Sequence, residues 1–218
     1  MCFSATASFA ASAVLIPLGI YCVKKATECK KSYWLIALLP LLFGIQQLFE
    51  GFVWLALGAG NDPRLPALGF LFFSHLFWLF WIPFSSYALE TNPFKRQLFL
   101  SLAALGTLHG LVMYIPFVLN TSGFDVETMK HSIVYATQLL YDDFVPRIVV
   151  RALYAVIVLI PLLFSSERYV KIFGFIIMLS VTLSTIFFGY AFISVWCYFA
   201  AILSLVILFI ILHIKKTG

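Results

Sequence analysis

Charge is scarce in this sequence, and that scarcity excludes most classes of protein. Only 11% of the 218 residues are charged and 63% are hydrophobic, whereas soluble domains average about 25% and about 45–50%. So few charges cannot cover the surface of a soluble domain, and so apolar a chain is not disordered. Four cysteines are too few for a disulfide-stapled secreted domain. The sequence also lacks P-loop, HExxH, GxSxG and CxxC motifs.

Long apolar runs are what the sequence has instead. A helix needs about 20 apolar residues to cross the hydrocarbon core of a bilayer, and a transmembrane β-barrel would show short alternating segments instead. We therefore predict an all-α, polytopic membrane protein, a single domain over 1–218 that forms a bundle of seven transmembrane helices. The last two share one uncharged stretch, which we divide at Gly189 because glycine commonly ends helices. The predicted spans are 5–23, 33–57, 67–89, 98–119, 147–164, 170–188 and 191–213.

One connection, at 120–146, is long enough to carry structure of its own. Within it, residues 126–144 are predicted to form an amphipathic interfacial helix, with Ile133, Leu139 and Leu140 opposite Lys130, Gln138 and Asp143. We place this loop on the outer side of the membrane.

The basic residues predict the orientation. With the N-terminus outside, four basic residues lie on the outer side: Arg64, Lys130, Arg147 and Arg151. Ten lie on the inner side: Lys24, Lys25, Lys30, Lys31, Lys95, Arg96, Arg168, Lys171, Lys215 and Lys216. This positive-inside bias predicts an N-terminus outside and a C-terminus in the cytoplasm. The basic groups sit at membrane edges, so we expect anionic lipid of the bilayer as a partner and no nucleic acid.

Ionisable side chains inside the spans occur at similar depths. Glu50, His75, His109 and Arg151 come from four different spans, and Cys197 from a fifth adds a softer polar group. At 1.5 Å per residue they lie roughly 6–15 Å below the outer boundary. Such groups are costly in lipid and usually mark a site or a structural contact. We therefore expect an outward-facing polar pocket, with Glu50 and Arg151 as opposed charges.

Helical spacing extends this set. Gln46, Glu50 and Trp54 share one helix face, Trp78 follows His75 by three residues, and Gly106 and Gly110 form a GxxxG motif beside His109. Arg147 stands one turn before Arg151. The candidate ligand-binding residues are Gln46, Gln47, Glu50, Trp54, His75, Trp78, His109, Arg151, Tyr154, Trp196 and Cys197.

Three interpretations of these residues stay open. The first is a pocket for a small ligand or ion, serving transport or sensing. The second is a metal-dependent membrane enzyme that uses His75, His109 and Glu50 as ligands. The third is a purely structural polar network. The cofactor is unknown: a metal ion, or a haem between the two histidines, is left open and not predicted. Cys2 and Cys197 lie near the outer face, where a disulfide is permitted, although a role as small apolar filler is favoured.

Four segments resemble an uncharacterised family of bacterial multi-pass membrane proteins. They are MCFSATASF at 1–9, GIQQLFEG at 44–51, FSH at 73–75 and SVWC at 194–197. The resemblance implies a multi-pass architecture in the bacterial inner membrane, and it implies no activity. It emphasises Cys2, Gln46, Gln47, Glu50, His75, Trp196 and Cys197, most of which belong to the candidate site.

Overall fold

The structure is a computed structural model that describes residues 4–119, 124–138, 142 and 144–213. Within these residues, helices make up the bundle and two strands form a β-hairpin. The helices are α1 (Ala5–Cys29), α2 (Trp34–Ala37), α3 (Leu39–Gly58), α4 (Arg64–Phe72), α5 (Trp78–Leu89), α6 (Pro93–Leu119), α7 (Arg147–Leu163), α8 (Arg168–Phe187), α9 (Phe192–Leu203) and α10 (Val206–His213). The strands are β1 (Phe124–Met129) and β2 (Ser132–Thr137).

Among the described residues, six helical segments are long and apolar enough to cross a membrane, as expected for a helical membrane protein. They are Ala5–Cys29, Lys31–Gly58, Arg64–Leu89, Pro93–Leu119, Arg168–Phe187 and Gly189–His213. The remaining long helix, α7, has 17 residues and is therefore about 26 Å long. It is somewhat shorter than the hydrocarbon core of about 30 Å.

Several of the long segments are interrupted at identifiable residues. Pro40 opens α3 directly after the break at Leu38, because proline suits the first turn of a helix. Between α4 and α5, residues Phe73–Phe77 form a π-helical turn, a wide turn that is frequent at functional sites. The predicted break near Gly189 is confirmed, since α8 ends at Phe187 and a 3-10 turn follows. Gly189 itself does not take the left-handed conformation that we expected of it.

The GxxxG motif of α6 packs tightly against the third helical segment. A Cβ atom added to Gly106 would lie 2.2 Å from the backbone oxygen of Leu79, and one added to Gly110 would lie 2.8 Å from the Cα of Leu76. Only glycine fits at these positions, which lets the π-helical turn and α5 approach α6 closely.

The predicted interfacial helix is wrong, because the described part of the loop folds as an antiparallel hairpin. Phe124 pairs with Thr137 and Met129 with Ser132. Along β2, Ile133 and Tyr135 are buried while Ala136 is exposed, an alternation typical of a strand with one face on the core. Lys130 and His131 form the turn with φ angles of 48° and 57°, as a two-residue primed turn requires.

Parts of that prediction fall outside the described residues, namely Leu139, Leu140 and Asp143.

The hairpin packs on Phe70, Leu71 and Phe117 of the bundle. Arg64 fastens it there, since its Nη2 donates to the backbone oxygen of Phe117 at 2.8 Å and its guanidinium lies 5.1 Å from the ring of Phe124. We call this the hairpin end of the bundle.

At the opposite end, Glu90 joins two helix connections. Its carboxylate accepts hydrogen bonds from the backbone N–H groups of Thr91, Asn92 and Ser166, at 2.8–2.9 Å. Burial alone would raise the pKa of Glu90, but these hydrogen bonds outweigh burial and hold the pKa below its ordinary value. Nearby, Lys30 and Glu167 form an ion pair at 3.5 Å. The two connections are therefore held together by one ionised carboxylate.

Candidate functional site

A buried polar network joins α3, α5 and α9 in the interior of the bundle. Gln46, Gln47 and Glu50 have no exposed surface. The indole Nε1 of Trp78 donates to Oε1 of Gln46 at 2.8 Å, and the hydroxyl of Ser194 donates to Oε1 of Glu50 at 2.5 Å. We call these five residues the core network. Three distant parts of the chain thus bring polar side chains into contact, and Gln46, Gln47, Glu50 and Trp78 among them are candidate residues of the sequence analysis.

Tyr135 of the hairpin reaches towards the same level. Burial raises the pKa of Tyr135 well above its ordinary value, and the nearby Glu50 and Cys197 raise it further. Its hydroxyl, both ends of the Gln47 amide and Oε2 of Glu50 are buried and have no hydrogen-bond partner among the described residues. Buried polar atoms are normally paired, often through internal water, so this region suits bound water.

Glu50 and Arg151 do not form the expected pair of opposed charges. The ion pairs within the described residues join Lys30 to Glu167 and Arg147 to Asp142. Glu50 instead accepts from Ser194, and the Arg151 guanidinium lies 5.0 Å from the ring centre of Phe192. The sequence shows that both charges exist at similar depth, but it does not show which neighbour each side chain faces.

A cavity next to this network carries the other half of the candidate site. It encloses about 720 Å³ including its mouth, and α6, α7, α8, α9, β2 and the π-helical turn line it. We call it the head cavity. Its apolar lining includes Met113, Val150 and Phe192. Its polar lining residues are Ser74, His75, Thr137, Arg147, Arg151, Tyr154, Trp196 and Cys197. The sequence predicted five of these, namely His75, Arg151, Tyr154, Trp196 and Cys197.

The first turns of α7 place two guanidinium groups at this cavity. Arg147 and Arg151 are one turn apart, so their side chains lie on one helix face. Arg147 is already engaged, because its Nη2 donates to the backbone oxygen of Thr137 at 2.5 Å and to Asp142 at 2.7 Å. Arg147 therefore anchors the hairpin to α7, while Arg151 contributes its charge to the cavity.

The π-helical turn and α9 supply neutral polar groups on the other walls. The hydroxyl of Ser74 lies 3.0 Å from Nδ1 of His75, and the imidazole packs edge-on against Phe117 at 5.3 Å. The indole of Trp196 packs edge-on against Tyr154 at 5.4 Å. Its Nε1 is inaccessible to solvent and has no hydrogen-bond partner in the described part of the chain. The indole N–H of Trp196 is therefore an unpaired donor in the wall of the head cavity.

The proposed metal set does not converge. No three His, Cys, Asp or Glu side chains of the described residues are close enough to hold a metal ion. Glu50 belongs to the core network and His75 to the head cavity, while His109 lines neither. His109 sits beside the GxxxG motif of α6, whereas Glu50 belongs to α3.

Trp54 also lies elsewhere, packed against the apolar cluster under the hairpin. Cys197 connects the two groups of residues, since it lines the head cavity and its thiol contacts Gln46. Cys2, for which a disulfide with Cys197 is permitted but not favoured by the sequence, lies outside the described residues.

Sequence reasoning missed Ser74, Thr137 and Arg147 as cavity residues, and Ser194 as the partner of Glu50. The sequence does point to Arg147, because it lies one helical turn from Arg151. It points less strongly to Ser194, which belongs to the SVWC segment. Thr137 had none, because it reaches the cavity only through the hairpin.

The comparisons with known proteins place the chain in a family. A model of a family of unknown function, DUF6629, matches residues 1–217. The chain belongs to DUF6629. No curated protein and no solved structure matches it.

Membership of DUF6629 agrees with the resemblance to an uncharacterised family. The match runs through all seven long helical segments and the hairpin. Because the family carries no assigned activity, the function of this DUF6629 protein has to be argued from the cavity itself.

Proposed function

We propose that this protein binds a small organic anion in the head cavity, for transport or sensing of that anion. The observation that carries the proposal is the charge of the cavity. Arg147 and Arg151 both line it, and no acidic residue of the described chain does.

The partial burial of the Arg151 guanidinium also supports an anionic ligand. A half-buried guanidinium needs an anionic or hydrogen-bonding partner to offset its lost hydration. In the described chain the guanidinium of Arg151 lies over the ring of Phe192. A carboxylate or phosphate in the cavity would accept from its planar fork, which suits both groups. Trp196 Nε1, Ser74 and His75 stand on the same walls as further hydrogen-bonding groups.

We further propose a setting for this site. The protein has seven spans with its N-terminus outside, and it lies in a bacterial inner membrane with the lipid bilayer as partner and without nucleic acid. The basic residues at the Glu90 end support this orientation, which makes the head cavity open outward. The GxQQxxEG segment at 44–51 is proposed as a family motif that builds the core network.

The test is anion binding by the purified protein in lipid nanodiscs. Butyrate and methyl phosphate are titrated against the neutral control butyramide, and the rise in Tm and calorimetric Kd are measured. We expect an anion to bind and butyramide not to bind. Arg151→Gln should weaken binding at least tenfold, because a charge-assisted hydrogen bond contributes about 1.5–3 kcal/mol.

Arg168→Gln is the matched control, since it removes the same charge from an exposed residue at the start of α8. It should bind like the wild type. Equal affinity of Arg151→Gln and wild type, or equal binding of butyrate and butyramide, would overturn the proposed function.

A further inference from the structure

A second cavity continues from the head cavity towards the middle of the bundle. It encloses about 410 Å³, and Tyr154, Trp196 and Cys197 line both cavities. We call it the tail cavity.

The walls of the tail cavity are apolar and belong to the protein interior. Ile82, Leu162, Phe173 and Ile177 line it, and each is at most 4% exposed. No charged side chain of the described residues reaches it, and the Trp78 indole N–H is already used by Gln46. Beyond Tyr154, Trp196 and Cys197, where it joins the head cavity, its lining offers a polar group no free partner, so the deeper part of the cavity suits hydrocarbon.

Helix α7 connects the two cavities along one face. Arg147 and Arg151 line the head cavity, Tyr154 lines both, and Val158 and Leu162 line the tail cavity. These positions are three or four residues apart and therefore share a face. The face runs about 16 Å from Arg151 to Leu162, and it changes from cationic to apolar.

From this arrangement we infer that the ligand is a single-chain amphiphile with an anionic head group, such as a fatty acid or an alkyl phosphate. The inference rests on the proposed function, because Arg151 holds the head group. The hydrocarbon chain enters the tail cavity between α5, α7 and α8. One narrow chamber admits one chain, which argues against a two-chain phospholipid.

An entry route exists at the hairpin end. A further cavity of about 600 Å³ lies between β2 and residues 190–193, and it shares Arg147, Arg151, Phe192 and Ile193 with the head cavity. The two arginines therefore stand between the outer opening and the head cavity, where they would meet the anionic group first.

The experiment compares chain lengths on the same head group. Butyrate, octanoate and octanol are titrated into nanodiscs that contain the protein, with empty nanodiscs as the control for partitioning into lipid. Four additional methylenes buried at about 0.8 kcal/mol each predict that octanoate binds on the order of 100-fold more tightly than butyrate.

The matched variants fill the tail cavity or leave it unchanged. Ala200 lines the tail cavity and is 6% exposed, so Ala200→Phe should remove most of the gain from butyrate to octanoate while butyrate binds unchanged. Ala104→Phe makes the same substitution on an exposed face of α6 and should keep the gain. If Ala200→Phe lowers the Tm of the protein without ligand, Ala200→Val is used instead. This smaller side chain should remove part of the gain in affinity from butyrate to octanoate.

The outcomes separate the two proposals. Equal affinity of butyrate and octanoate for the wild type, or an undiminished gain in a folded Ala200 variant, would overturn the amphiphile and leave the anion site standing. Octanol binding as tightly as octanoate would overturn the anion site and leave an apolar cavity. Native mass spectrometry of the purified protein adds one check: a bound two-chain phospholipid, without any single-chain species, would also contradict the inference.

Discussion

At the scale of single residues, Glu50 is the most deeply buried carboxyl group of the candidate site. Its partner is a serine 144 residues further along the chain, and the cationic head cavity lies beside it without including it. The two hydrogen bonds of the core network, from Trp78 to Gln46 and from Ser194 to Glu50, favour one packing arrangement of the helices. We therefore expect the core network to contribute to stability, and the proposed ligand binding to depend on the head cavity.

This division predicts different effects for Ser194 and Arg151. Ser194→Ala leaves one oxygen of the Glu50 carboxyl group without its donor, so it should lower the free energy of unfolding by about 1–3 kcal/mol. Because Ser194 does not line the head cavity, butyrate affinity should stay unchanged. Thermal unfolding and calorimetry of the same preparation measure both quantities.

Ser101→Ala is the control, since Ser101 is exposed on α6 and should change neither quantity. A loss of butyrate affinity in Ser194→Ala at unchanged Tm would assign the core network to the binding site. Glu50→Gln should behave like Ser194→Ala, with lowered stability and retained binding.

Residue-scale predictions from sequence succeed where helix periodicity decides the geometry. Gln46 and Glu50 share a face because they are four residues apart, and both are buried in the same network. The hydrogen-bond partners of Gln46 and Glu50 depend on how distant helices pack against one another. The spacing of residues within one helix does not reveal that packing. For that reason the sequence alone does not reveal that Glu50 is paired with Ser194 and not with Arg151.

At the scale of elements, the helices were predictable and the hairpin was not. Apolar runs of about 20 residues leave few alternatives to a helix in a membrane. The hairpin lacks the usual Asn-Gly or Asp-Gly signal, since Lys130 and His131 occupy its turn. Ile133 and Lys130 also fit the spacing of apolar and polar residues in a helix. The sequence pattern of this loop therefore does not distinguish a helix from a strand. The π-helical turn at Phe73–Phe77 is likewise invisible to a count of apolar residues.

The junction around Glu90 predicts a pH dependence of stability. A carboxylate whose folded-state pKa lies below its ordinary value of 4.5 stabilises the fold above that pH, and the stabilisation is lost as the pH falls through the folded-state pKa. The wild type should therefore lose stability on acidification from pH 5, and Glu90→Gln should lack this part of the loss while starting from a lower Tm.

Thermal unfolding at a series of pH values between 5 and 3 measures the effect, and the wild type provides the reference curve. Glu28→Gln is the matched control, because Glu28 is exposed on α1 and should preserve the slope. Parallel curves for the wild type and Glu90→Gln would show that the carboxylate does not hold the two connections together.

At the scale of the whole molecule, the two ends of the bundle differ in charge and in structure. One end carries the hairpin and a cavity that leads to Arg147 and Arg151. The other end carries the basic helix connections around Glu90. On the proposed topology the hairpin end faces outward.

Cysteine labelling in intact cells tests that orientation. His131 and Thr27 are exposed at opposite ends of the bundle. A membrane-impermeant maleimide should label His131→Cys directly and Thr27→Cys only after the membrane is permeabilised. The wild type gives the background, since Cys22, Cys29 and Cys197 are buried. The reverse pattern would invert the molecule and turn the head cavity towards the cytoplasm.

The shortness of α7 has a consequence for the surrounding lipid. On the seven-span topology, a helix of about 26 Å stands in a hydrocarbon layer of about 30 Å, and such a mismatch is met by thinning the bilayer or by flanking residues that extend to the interface. Phospholipids next to α7 are then compressed. Arg147 and Arg151, the cationic groups of the head cavity, belong to this same helix. Bilayers made of shorter acyl chains should therefore accommodate this protein with less deformation than thick, sterol-rich ones.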